Sequence, residues 1–76
     1  MKIDKVLDAK GLACPLPIVR TKKAMDEMKS GQILEVIATD KGAKADLTAW
    51  TASKDHELLK TKEDNNGILT FLIKKK

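Results

Sequence analysis

Gln32-Ile33-Leu34-Glu35-Val36-Ile37-Ala38-Thr39 is the segment from which the architecture can be read. Half of it is branched at Cβ, which stiffens the side chain and favours extended backbone. Its near-continuous apolarity predicts a strand at a central position in a sheet. Asp40-Lys41-Gly42 closes the strand on one side and Gly31 bounds it on the other.

Reading forward, Ala43 to Ser53 carries alanines, Leu47 and Trp50 at helical spacing. This predicts a short helix with Leu47 and Trp50 as core anchors. Glu57–Glu63 and Ile68–Ile73 read as two more strands. They are joined by Asp64-Asn65-Asn66-Gly67, in which Asn-Gly is a hairpin signal. Reading backward, Pro17 to Ser30 predicts a helix whose apolar stripe is Ile18, Thr21, Ala24, Met25 and Met28, with Gly31 ending it in a left-handed conformation. Before it, Ile3 to Asp8 suits a short strand, followed by a turn at Lys10-Gly11. The order is strand, helix, strand, helix, strand, strand. Two helices on one face of a four-stranded mixed sheet make an α+β, two-layer βαβαββ sandwich. Residues 1–76 are expected to form a single domain, since no internal repeat or linker is visible in them.

Composition narrows the function. A 76-residue chain has little room for an enclosed catalytic pocket, so chemistry belongs at its surface and depends on few groups. No apolar run approaches the length of a membrane span, and the first eight residues alternate charged with apolar side chains instead of forming a signal peptide. One cysteine cannot make an internal disulfide, which points to the cytoplasm. The net charge is +4, three units of which sit on Lys74-Lys75-Lys76, expected to be a solvated end; the rest of the chain carries only +1. With Trp50 and Phe71 as its aromatics, the chain lacks the basic, aromatic-interleaved face of a nucleic-acid binder. A monomer without nucleic-acid or membrane partners is expected.

Chemistry concentrates in Leu12-Ala13-Cys14-Pro15-Leu16-Pro17. A residue before proline is pushed out of the α region, so Cys14 is expected to be extended or to act as a cap. Proline is tolerated in a helix's first turn, so the helix starts at Pro15 or Pro17. Either start puts Cys14 beside a helix amino terminus, with its partial positive charge and unpaired N–H groups. No Ser, Thr, Asp or Asn between Leu12 and Val19 offers the usual cap. Such placement lowers a thiol's pKa from about 8.5 by one or more units and favours a persulfide anion for the same reason. Lys10 and Arg20 add positive potential, and Lys10, Arg20 and Lys23 outline a patch for acidic partner surfaces. His56, the lone histidine, lies far along the chain and is read as a turn or surface residue, not a base for Cys14. One Cys and one His supply no closed metal site, and no cofactor motif is present.

Leu7-Asp8-Ala9-Lys10-Gly11-Leu12-Ala13-Cys14-Pro15-Leu16-Pro17 resembles the Cys-Pro-x-Pro signature of the TusA/SirA/YedF sulfur-carrier family. The likeness continues through Glu35–Asp40, Ala45–Trp50 and His56–Leu59. The resemblance implies a fold similar to the carboxy-terminal domain of bacterial initiation factor three. It also implies that Cys14 carries sulfane sulfur as a persulfide, with Pro15 and Pro17 shaping the loop. The implied donor is a cysteine desulfurase or rhodanese-like protein. The implied acceptors serve tRNA thiolation, molybdenum-cofactor synthesis or other sulfur trafficking. The chain would then be a sulfurtransferase-like carrier more than a stand-alone enzyme. Two departures stand out: Lys41 where relatives often have proline, and Asp55 where they often have glycine. The competing readings are a regulatory or RNA-binding module sharing the fold, and a single-thiol redox sensor.

Overall fold

The computed structural model of the chain describes residues 2–13 and 15–76. Its elements run β1 Lys5–Ala9, α1 Leu16–Asp26, β2 Ile33–Ala38, α2 Ala43–Ser53, β3 Glu57–Glu63 and β4 Leu69–Lys74. The strands form one sheet in the order β1-β2-β4-β3, with β1 parallel to β2 and the other pairs antiparallel. The α+β two-layer arrangement expected from the chain is therefore the one observed, with β2 central as its composition predicts.

Alternation explains which face the helices cover. Leu34, Val36 and Ala38 of β2 and Leu69, Phe71 and Ile73 of β4 are buried, whereas their neighbours in sequence are half-buried or exposed. Successive strand side chains point to opposite faces, so these six form one apolar surface. Against it pack Ala24 and Met25 from α1, Met28 from the bend after it, and Ala43 and Leu47 from α2. Trp50 and Leu58 seal the margin. The opposite face is left uncovered, and the near-continuous apolarity of β2 reflects a central place in the sheet with only one face covered.

Boundaries shift where tertiary bonds compete. α1 begins at Leu16 and ends at Asp26, four residues before the expected Ser30. The chain tightens there through Glu27 N–H to Ala24 O and Met28 N–H to Met25 O. Lys75 Nζ then donates to the carbonyls of Met25 and Met28, at 2.6 and 2.5 Å. Gly31 has φ +86° and donates its N–H to Lys75 O; it serves the strand-side turn and does not cap the helix. The lysine end is thus not a solvated tail, as the charge reading had it: Lys74 belongs to β4, Lys75 is half-buried, and Lys76 Nζ meets Asp55 at 3.3 Å.

Candidate functional site

The carboxyl ends of β1 and β2, the β3–β4 turn and the amino ends of both helices gather at one end of the sheet. The β1–α1 loop crosses this end. Gly11 turns it with φ +80°, and its N–H donates to Thr39 Oγ1 at 2.9 Å, tying the loop to the end of β2. Leu12 N–H donates to Ala9 O at 3.2 Å, and the half-buried Leu12 side chain packs on the core. Ala13, Pro15 and Leu16 are exposed. Cys14 itself lies outside the described residues; its neighbours on both sides reach solvent.

Pro15 is the N-cap of α1, with φ −95° and ψ 13°, and among the described residues no side chain caps the helix. Pro17 sits buried in the first turn, and no acidic residue lies there. The two prolines also change the count of free donors. A helix start leaves four N–H groups without helical partners. Here Pro15 and Pro17 have none to offer, and Leu16 N–H donates to Ala13 O at 2.9 Å. The expected ring of several unpaired amides is therefore thinner than the sequence suggested. What remains undiminished is the aligned peptide dipole, uncompensated by any nearby acid on α1.

Of the other sequence-predicted residues, Lys10 stands exposed on the loop, with its Nζ 4.0 Å from Asp8 Oδ2. Arg20 and Lys23 are exposed on α1. Leu16, Val19, Arg20 and Lys23 follow the i, i+3, i+4, i+7 spacing of a single helical stripe. Leu16 and Val19 are 44% and 54% exposed, large apolar side chains facing water next to the loop. The sequence reading missed this pair because it followed the buried stripe through Ile18 and Met25. The available signal was an apolar pair on the otherwise charged side. A cleft of about 340 Å³, lined among others by Thr39, Lys41, Lys44 and Asn66, opens at the same end of the sheet.

His56 lies just before β3, whose first residue pairs with Lys74 at the far end of the sheet. The length of a six-residue strand, on the order of 20 Å, separates it from the loop. Its Nδ1 accepts a hydrogen bond from Lys76 N–H at 3.2 Å, so it is structural and not a base for the site. Among the described residues no group of three His, Cys, Asp or Glu could hold a metal, and no helix is long and apolar enough to cross a membrane.

Comparison with known proteins settles the family. Residues 5–75 match the family described as sulfurtransferase TusA. The chain belongs to the TusA family. Among its TusA-type relatives, YrkI of Bacillus subtilis is 71% identical over 99% of both chains. The sulfur carrier protein TusA of Allochromatium vinosum is 51% identical over 95% of this chain and 93% of its own. YrkF of Bacillus subtilis is 55% identical over 97% of this chain, but the chain spans only 40% of it. The crystal structure of a SirA-like protein from Desulfitobacterium hafniense superposes with a TM-score of 0.83 at 25% identity, covering 92% of this chain and 95% of that one. The TusA fold is thus the βαβαββ sandwich described above. The protein is a TusA-like sulfur carrier, which works between sulfur-donating and sulfur-accepting proteins.

Proposed function

We propose that Cys14 carries the sulfur as a persulfide. In the forward step the Cys14 thiolate attacks the terminal sulfur of a donor's persulfide. A new S–S bond forms at Cys14 Sγ, the donor's S–S bond breaks, and its electron pair leaves with the donor thiolate. The number of S–S bonds is unchanged, so no oxidant or reductant is consumed. A partner thiol removes the sulfur by the same exchange in reverse. Cysteine desulfurases and rhodanese-like proteins have the chemistry of the donor. The acceptor is a thiol protein of a thiolation or cofactor-building route. The reading places the chain in the cytoplasm, where a lone thiol stays reduced.

One observation carries the reading: in sequence Cys14 directly precedes the cap of a helix that, among the described residues, no side chain caps and no first-turn acid neutralises. Anions, thiolate and persulfide alike, are favoured at such an end. Pro15 and Pro17 support it by stiffening the loop on the helix side. Leu16 and Val19, with Lys10, Arg20 and Lys23 around them, suit the recognition of partners that present an apolar contact with an acidic rim.

Intact-mass measurement after incubation with a cysteine desulfurase and cysteine tests this. The expected result is one added sulfur atom on the wild type, absent from Cys14→Ser and released by reductant. An unchanged mass with desulfurase, rhodanese and inorganic polysulfide alike would overturn the assignment. Retention of the adduct by Cys14→Ser would do the same.

A further inference from the structure

The sheet face away from the helices combines two observations that the carrier reading does not use. Glu35 points to this face from the central strand β2. It is flanked across the sheet by Val6 and Leu72, and along its own strand by Ile33 and Ile37. Val6 is 56% exposed and the other three are half-buried. Among the described residues the Glu35 side chain makes no ion pair or hydrogen bond, so the carboxylate of a half-buried residue stands unpaired inside an aliphatic ring.

The second observation is the order of charges across the strands. One row reads Val6, Glu35, Leu72, Lys60 and the next reads Asp8, Ile37, Thr70, Lys62, from β1 to β3. In these two rows both acids lie on the β1–β2 half and both lysines on β3; the adjoining row of Ile33, Lys74 and Glu57 runs the other way, and Asp8 already meets Lys10, so Glu35 and Lys60 carry the complementarity. Lys60 and Lys62 are exposed and, among the described residues, have no acidic partner. A shallow groove of about 260 Å³ runs between the two halves, lined by Glu35, Lys60, Lys62, Thr70 and Leu72. A two-fold axis parallel to the strands, between β2 and β4, exchanges the halves. It lays the acidic half of one copy over the lysines of the other.

We infer that this face binds a second copy of the chain, sheet against sheet. Lys60 of each copy reaches Glu35 of the other, and Val6, Ile33, Ile37 and Leu72 interdigitate between them. Isologous pairing of one self-complementary patch is the commonest route to a protein dimer, and aligned sheets pack with their strands within about 30°. The size of the face sets the strength. Four strands about 4.8 Å apart and six residues long offer on the order of 400 Å² per copy, half of a standard interface. The dimer is accordingly a weak, reversible one, formed in addition to the monomer that the sequence leads one to expect. The carrier end of the sheet stays uncovered in it.

Sedimentation velocity tests the proposal on the intact chain, kept reduced with a phosphine so that no disulfide dimer forms. Between about 10 µM and about 1 mM at low salt, the weight-average mass should climb from one chain toward two, as fits a small interface. Glu35→Lys should weaken the association at least tenfold by setting like charges opposite each other. Glu35→Lys combined with Lys60→Glu should recover most of it, and circular dichroism checks that each variant is folded. A mass of one chain throughout the range overturns the inference. So does association that Glu35→Lys leaves untouched, or a failure of the double variant to recover while folded.

Discussion

His56 shows how a single side chain reports on the whole fold. Its ring lies 5.4 Å from that of Trp50, tilted by 45°, and accepts the Lys76 N–H at Nδ1. Burial holds its pKa below the ordinary histidine value, and the Lys75 charge adds to this, while Asp26 and Asp55 oppose it. The unfolded chain takes up this proton near pH 6.5, before the folded chain does. The folded state therefore loses stability as pH falls from neutral through 6.5 toward the lower folded value. Thermal melts at pH 7.5 and pH 5.5 should show a drop in wild type that His56→Gln largely removes; equal drops would refute the linkage. Glu27, drawn below the usual carboxylate range by its 2.8 Å bond to Lys5, titrates in a separate, more acidic window. At this scale the sequence was legible where chemistry is local. Asp55, noted as standing in a glycine's place, does sit at φ +60°, which Asp tolerates at modest cost. The exposure of Leu16 and Val19 was not legible, because a helical pattern says which residues share a face but not whether a neighbour will cover it.

Helix α1 is shaped from both ends by groups outside it. At its start, two prolines set the entry, and Pro15 proved to be the cap where the sequence left Pro15 and Pro17 as alternative first residues. At its end, Lys75, about fifty residues away, supplies the cation that a helix carboxyl terminus favours. Lys75→Met should cost about 1–2 kcal/mol, since it removes charge-assisted bonds to two carbonyls in a partly buried place. Urea denaturation should register this as a lower midpoint with an unchanged slope. A change within about 0.5 kcal/mol would mean that water replaces the ammonium without penalty. The same bond explains the one element that was misread at length. Spacing alone carried α1 to Ser30, whereas α2 and β3 match their expected limits, being bounded by local turns.

Across the whole molecule, the apolar interior is shared by a single sheet face and two helices, so few side chains carry most of the burial. Phe71 is fully buried at the centre of β4, between Val36 and Thr61. Truncating such a ring costs about 3–5 kcal/mol. A 76-residue domain has a total of only about 4–11 kcal/mol. Phe71→Ala should therefore be largely unfolded at 37 °C by circular dichroism, while Phe71→Leu should retain a cooperative transition. A cooperative melt of wild-type midpoint in Phe71→Ala would disprove this distribution of the core. The class and element order were legible because the helices show clear periodicity and the strands are marked by Cβ-branched composition and flanking turns. The strand order was not, since pairing between distant segments leaves no local trace.

Because β4, the last element in chain order, is inserted between β2 and β3, the sheet cannot close gradually as the chain leaves the ribosome. Until residues 69–74 emerge, β2 and β3 both present bare edges, each a template for pairing with other chains. A nascent chain stalled just short of that point would be aggregation-prone, whereas β4 covers the open edge of β2 and the facing edge of β3 together.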